Sequence, residues 1–232
     1  MEFVYASELK QSYQVWAHFY YLKIARHRWL CRSVADIVAS SAVAPRDSAV
    51  PQAIAVMMNP GSAKPSINAK PFMDGVMNAS AVTNMSRRRL FDISQPRFKI
   101  QVAPDNAQYQ LMRLMKRKQW SRLRIINLSD LCEGSSKDFP TLYRAVDLHD
   151  PSHPESLMHA KREEELDAHL QGISNVILAW GRQPVLAEAA IAFCQRVPTA
   201  VGLARDYPWY RFASPYRKDQ KLSWLNEIES VL

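Results

Sequence analysis

Short unbroken apolar runs recur along this chain, separated by stretches of longer period. Residues 53–58 (AIAVMM) are wholly apolar and stop at Asn59-Pro60-Gly61, as a strand buried on both faces does when it ends in a loop. Residues 122–128 (RLRIINL), 175–180 (NVILAW) and 199–203 repeat the pattern, the third run halted by Gly181. Between them a 3.6-residue period predicts helices. Ala107, Leu111, Leu114 or Met115 and Lys118 share one face behind an N-cap at Asp105 or Asn106, with Arg113, Lys116 and Arg117 towards the outside. Residues 156–170 read as a helix with an acidic face. Pro184 opens another helix, whose apolar face is Val185, Leu186, Ala189, Ala190 and Phe193. Leu222, Leu225, Ile228 and Leu232 mark a closing amphipathic helix.

The beginning of the chain differs. Residues 13–38 are rich in aromatic and β-branched side chains, and HFYYLKI and RWLCRSV predict two strands meeting near residues 25–27; a single helix is the competing reading. Residues 40–51 (SSAVAPRDSAVP) have the composition of a linker. Residues 62–96 show little periodicity, and a loop of that length in a compact domain is a lid, a binding loop or disordered. The pattern therefore predicts a β-rich extension and linker over 1–51, then one α/β domain over 52–232. Its alternating strands and helices imply three layers around a mainly parallel central sheet.

Composition narrows the function classes. The 232 residues are 47% hydrophobic and 22% charged, enough for a core without staples. No apolar run reaches the length of a membrane span, and the opening MEFVYASELK lacks the basic-then-apolar order of a signal peptide. Three dispersed cysteines (Cys31, Cys132, Cys194) with no CxxC fit a reducing compartment. The expected setting is cytoplasmic. Six glycines, none spaced as GxGxxG or a Walker A loop, argue against a backbone-amide nucleotide cradle, and no cofactor is expected.

Charge adds a candidate partner. Of the formal net +8, residues 87–124 carry eleven Lys or Arg against Asp92 and Asp105, leaving the remainder slightly negative. Such a concentration is the footprint of a phosphate-binding surface for DNA or RNA. The candidate backbone contacts are Arg87, Arg88, Arg89, Arg113, Lys116 and Arg117. A solvated helix face with a basic loop accounts for the same charges.

In a parallel sheet the site lies beyond the carboxyl ends of the strands. Those ends are Asn59-Pro60-Gly61-Ser62, Asn127-Leu128-Ser129-Asp130 and Trp180-Gly181-Arg182. An asparagine amide there can read both a donor and an acceptor on a ligand, although it also serves as a turn cap. AVMMNPGSAKP, RLRIINLSDL and NVILAWG, in this order, resemble a bacterial family labelled domain of unknown function 1643, over roughly residues 53–216. More distantly, the same strand ends are similar to the uracil-DNA glycosylase superfamily. Asn59-Pro60-Gly61 matches the end of the first-strand motif in its mismatch-specific branch, which implies that Asn59 positions the attacking water. Ile125-Ile126-Asn127 is similar to the strand whose amide reads the pyrimidine edge, which implies that Asn127 is the base reader. That strand belongs to the uracil-specific branch, and Leu178-Ala179-Trp180-Gly181 resembles a further motif of the same branch. The late histidine motif falls at residues 212–216, where Ser214-Pro215 is kept and no histidine stands. The resemblance implies a catalytic role for Ser214 with Asn59, and ligand contacts from Pro60, Gly61, Ser62, Asn127, Trp180, Gly181, Arg182 and Tyr216.

Other chemistries have thinner support. His149, His153, His159 and His169 lie among acidic residues, but across a proline-bounded loop, so no metal is expected. Ser62 lacks the GxSxG elbow, and nothing in the sequence lowers the pKa of Cys132. Tyr207, Trp209, Tyr210 and Tyr216 wall a pocket or pack a core. The leading expectation is a nucleic-acid or nucleobase-binding protein with weak N-glycosidic hydrolysis. The alternative is a non-enzymatic binding or interaction module using the same cleft. Salt dependence separates them, because phosphate contacts weaken steeply as salt rises.

Overall fold

The computed structural model describes residues 3–42, 50–65 and 99–232. Arg87, Arg88, Arg89 and most of the 62–96 segment lie outside them. After a short helix α1 (Ala6–Ser12), the first apolar stretch folds as two long strands, β1 (Tyr13–Ile24) and β2 (His27–Ala39). They pair antiparallel through a two-residue turn in which Ala25 takes φ 51°. The aromatic and β-branched content that opposes a helix here fits this pleated pairing.

The strands β3 (Ala53–Met57), β4 (Lys64–Pro65), β5 (Ile100–Ala103), β6 (Arg122–Asn127), β7 (Val176–Leu178) and β8 (Val201–Gly202) complete one eight-stranded sheet, ordered β4-β5-β1-β2-β6-β3-β7-β8. The pairs β6·β3, β3·β7 and β7·β8 are parallel; β4·β5, β5·β1, β1·β2 and β2·β6 are antiparallel. The sheet is thus mixed, not mainly parallel. The N-terminal hairpin accounts for the difference: β2 adds to the edge of β6 and continues the sheet, which places residues 13–39 in its centre.

The predicted helices form as α2 (Asn106–Lys118), α4 (Glu163–Leu170), α5 (Ala187–Arg196) and α6 (Lys218–Val231), and the sequence reading missed α1 and α3 (Phe139–Asp147). Only the second half of the expected 156–170 helix is α-helical, preceded by a 3-10 turn at Ala160–Arg162. Strand alternation divides the core between the two faces of the sheet. Ala53, Ala55, Met57, Leu123 and Ile125 face α1, α2 and α6, through Leu9, Leu111, Met112, Trp224 and Ile228. Ile54, Val56, Ile126 and Leu178 face α3, α4 and α5, through Phe139, Leu166 and Phe193.

Buried charge is concentrated on β2 and its neighbours. Asp36 is ion-paired with Arg124, at 2.8 Å, and with Lys99. Arg162 pairs with Asp130 at 2.9 Å and with Glu165, and the Tyr20 hydroxyl donates to Asp130 at 2.9 Å. These pairs set each buried charge beside an opposite one, although Asp130 Oδ1 has no hydrogen-bond partner among the described residues. Among the described residues, no helix is long and apolar enough to cross a membrane.

Candidate functional site

Strand β3 is central to the parallel half: the chain next adds β6 on one side of it and later β7 on the other. That reversal opens a crevice at the carboxyl ends of the three strands. A cavity of about 350 Å³ lies there, lined by Met57 to Gly61, Ile125, Glu133, Gly134, Ser136, Trp180, Gly181, Arg182 and Phe212, and by Arg32 with Asp105, Ala107 and Gln108 at the start of α2. Its volume is that of a small-molecule pocket.

Asn59 is buried at the cavity wall. Its Nδ2 donates to the carbonyl of Leu131 at 3.1 Å and to that of Glu133 at 2.7 Å. The two bonds fix the amide plane, and Oδ1 accepts no hydrogen bond from the described residues. Gly61 follows at φ 67°, in the left-handed region that favours glycine, and a Cβ on it would stand 3.1 Å from the Asp105 carboxylate. The loop after β6 is held on its other side by Gln183, whose Nε2 donates to the Ser136 carbonyl at 3.0 Å.

Asn127 is fully buried, and neither its Nδ2 nor its Oδ1 has a hydrogen-bond partner among the described residues. In register it pairs with Met57, and alternation places it on the same sheet face as Ile125; both of these line the cavity, whereas Asn127 itself does not. An unpartnered buried amide is costly and unusual.

Arg32 arrives from the hairpin. The β1·β2 register shifts between His18 and Phe19, so that Ser33 is an extra residue; a bulge of this kind re-aims the side chains around it. Arg32 thereby pairs with Phe19 and faces the cavity side. It is 2% exposed, and Nε and Nη1 of its guanidinium are buried without partners among the described residues. Burial pulls its pKa down, while Asp105 and Asp130 nearby oppose that. Gln108, also buried, has its carbonyl oxygen engaged by the Asp105 backbone N–H at 3.1 Å, leaving Nε2 without a partner.

The structure therefore gathers Asn59, Pro60, Gly61, Trp180, Gly181 and Arg182 at one cavity and leaves other expected residues elsewhere. Trp180 contributes a wall. Its indole donates to the Pro208 carbonyl at 3.1 Å and meets Phe193 and Tyr210 edge-on, within the opposite-face core. Ser62 is exposed beside Gly134. Ser214 has a buried, unpartnered hydroxyl but does not line the cavity, and Tyr216 is 97% exposed to solvent. Phe212, 42% exposed, is a second aromatic at the cavity beside Trp180.

The basic face expected on α2 is corrected. Arg113 is buried: its Nε donates to the Val4 carbonyl at 2.7 Å, and its guanidinium lies over Phe3. Arg117 reaches Asn226 and Glu229 on α6. Both point inward because α1 and α6 pack over α2. Lys116 alone of the three is exposed.

The histidines have local structural partners. His153 contacts Glu155 and Asp147, His149 stacks on His27, and His159 Nδ1 accepts from the Lys161 backbone. No group of three or more His, Cys, Asp or Glu side chains with metal-holding geometry occurs among the described residues. Burial pushes the Cys132 thiol up to about 12, against the pull of Arg32. It is therefore protonated at neutral pH and is no ready nucleophile.

Comparison of the chain with protein-family models, with curated proteins and with solved structures gives no match.

Proposed function

We propose that this chain is a nucleobase-binding protein of the three-layer, uracil-DNA glycosylase-like kind, whose cavity accepts a base presented by DNA or RNA and hydrolyses its N-glycosidic bond slowly. The observation that carries this reading is the pair of strand-end asparagines. Asn127, fully buried and not itself part of the cavity lining, keeps a donor and an acceptor without partners among the described residues, beside the lining residue Met57 on the cavity face of the sheet. Asn59 has its Nδ2 fixed by two carbonyls, and its Oδ1 accepts no hydrogen bond from the described residues, as orienting a water requires. An amide holds a water but takes up no proton from it, so turnover is slow. The sugar bond breaks as the oriented water attacks the anomeric carbon; the departing base carries the electron pair away and takes up the proton that the water loses.

A base within a duplex must first be extruded, at a cost of a few kcal/mol. The inward turn of Arg113 and Arg117 removes two of the cations expected to offset that cost by holding phosphates. This favours single-stranded or mismatched substrates, and it also supports the second reading, a cleft that binds a small ligand without catalysis.

The test is a single-turnover assay on oligonucleotides carrying uracil, hypoxanthine or a G·T mismatch, with Asn59→Ala, checked for folding by thermal melting, as control. Base release that drops at least about tenfold in the variant supports hydrolysis at Asn59. Release from none of the three substrates ends the enzymatic reading. Oligonucleotide affinity that is flat in salt, or absent at low salt, ends the nucleic-acid reading.

A further inference from the structure

Arg32 poses a question that the nucleobase reading leaves open. A guanidinium stays charged at any working pH and carries five N–H donors. Inside the protein it is ordinarily paired, as Arg162 is with Asp130 and Glu165. Arg32 is as buried as these groups, yet its side chain makes no hydrogen bond or ion pair with any described residue. Leaving a buried charge uncompensated is strongly destabilising. The bulge at Ser33 holds the side chain on the cavity face, and the backbone N–H of Arg32 is fixed to the Asp130 carbonyl at 2.8 Å. The group is thus built in and rigidly placed.

Its surroundings are those of an acceptor-seeking site. Gln108 Nε2, equally buried and unpartnered, lines the same cavity, and both residues stand at the N-terminal end of the thirteen-residue helix α2, where backbone N–H groups and the helix dipole favour negative charge. Arg182 is exposed on the same lining. Two carboxylates also line it. One oxygen of Asp105 caps α2 by accepting the Gln108 N–H at 2.9 Å, and one oxygen of Glu133 accepts the Ser135 N–H at 2.8 Å. Neither carboxylate bonds to Arg32.

We propose that the cavity binds a ligand presenting an anionic oxygen, a carboxylate or a phosphate, to Arg32 and Gln108. The missing hydrogen-bond partner of Arg32 is the ligand's oxyanion. At about 350 Å³ the cavity holds more than a lone ion, so the anionic group belongs to a larger small molecule. This inference concerns the cavity of the proposed function, but it stands on Arg32 and does not require that a base be bound.

The full chain is titrated calorimetrically at constant low salt with uracil, orotate (the same ring bearing a carboxylate), uridine 5′-monophosphate and inorganic phosphate. The expected result is that orotate or the monophosphate binds at least about tenfold more tightly than uracil, the contribution of charged hydrogen bonds. Arg32→Met abolishes that preference, and its melting temperature is equal to or above the wild type's, because an unpaired buried charge has been replaced by an apolar chain. Arg32→Lys keeps the charge without the planar donors and binds the anionic probe with intermediate affinity. Preference for orotate identifies a carboxylate ligand, and preference for the monophosphate a phosphate one. Phosphate binding that depends on Arg32, with no affinity for any ring-bearing probe, keeps this inference and removes the nucleobase reading. Uracil binding as tightly as orotate and the monophosphate keeps the nucleobase reading and overturns the inference. The inference is also overturned if no probe binds, or if Arg32→Met melts lower while Arg32→Lys binds every probe as the wild type does.

Discussion

Asn59 makes the most constrained contacts in the cavity wall, and they predict the outcome of the obvious improvement. A carboxylate activates water better than an amide, which makes Asn59→Asp attractive as a route to a faster hydrolase. However, the Nδ2 that it replaces donates to the Leu131 and Glu133 carbonyls. An aspartate would set an oxygen against two carbonyl oxygens in a buried position. The expected result is a loss of about 2–4 kcal/mol, from two broken buried bonds and an unsatisfied charge, with no gain in base release. Urea denaturation and the single-turnover assay check the two halves of that prediction; an intact stability with faster release would refute it. The strand-end residues Asn59, Gly61 and Arg182 were legible in the sequence, because an apolar run that stops at a polar turn announces its own carboxyl end. Arg32 was not. Its signal, a charged residue within the apolar run RWLCRSV, says only that a charge is near a core, and a single-residue bulge decides which face receives it. Tyr216, expected to wall a pocket or pack a core and given a ligand contact by the resemblance, stands in solvent, because where an irregular segment such as 203–217 turns outward has no periodic signature.

Helix α2 is the element through which the cavity and the core communicate. Its first turn is a reciprocal cap, with Asp105 accepting from the Gln108 N–H and Gln108 accepting from the Asp105 N–H. Asp105→Ala is expected to cost about 1 kcal/mol of stability, the ordinary worth of such a cap, and to free the Gln108 side chain. Asp105→Asn keeps an acceptor for the Gln108 N–H and removes a negative charge near Arg32. It should leave the melting temperature within a few degrees and strengthen anionic-probe binding; weaker binding in that variant would contradict the charge argument. The helix also shows how periodicity misleads at the level of the element. Arg113 and Arg117 are correctly off the main apolar stripe, yet α1 and α6 close over that side, and the two guanidiniums become fasteners to Val4, Asn226 and Glu229. Nothing in the local pattern reports how many neighbours a helix will have. On the far edge, β8 approaches β7 so closely that a Cβ on Gly202 would lie 2.5 Å from the Leu178 carbonyl oxygen. Gly202→Ala is therefore expected to separate these strands and to lower the melting temperature by several degrees, a cost on the order of 1–3 kcal/mol.

At the scale of the molecule, the hairpin is the lesson in topology. Strand-and-helix alternation correctly gave an α/β fold from residue 53 onwards, but no alternation rule reveals that an N-terminal antiparallel pair will dock on β6 and carry the cavity's guanidinium. The same docking buries a histidine and an acidic residue among cations, and it makes stability depend on pH. His169 is buried, 3.3 Å from an Arg124 nitrogen through Nδ1 and 4.0 Å from Glu165 through Nε2. Burial first, then Arg124, depresses its pKa to about 3, with Arg162 and Lys99 adding to the effect and Asp36 opposing it. Unfolded, it titrates near 6.5. Between those values the unfolded chain binds a proton that the folded chain refuses, so stability is present above pH 6.5 and falls as the pH falls towards 3. Asp36 acts lower. Burial would raise its pKa, but Arg124 and Lys99 outweigh burial and hold the carboxyl well below the usual range, so its contribution is lost only as the pH falls below about 4. Burial raises Asp130 and Glu165, despite Arg162, and these carboxyls work in the opposite sense, which makes a difference between variants more decisive than an absolute curve. His169→Gln keeps a polar side chain beside Arg124 and removes one titration. From pH 5.5 to 4.5 the wild type should lose about 1.3 kcal/mol more than the variant, close to the slope of one proton per pH unit, and roughly half that slope near pH 6.5. Urea midpoints across that range measure the difference directly. Parallel curves would mean that His169 is protonated in the folded chain, and that the Asp36–Arg124–Glu165 cluster accommodates a further positive charge beneath the sheet.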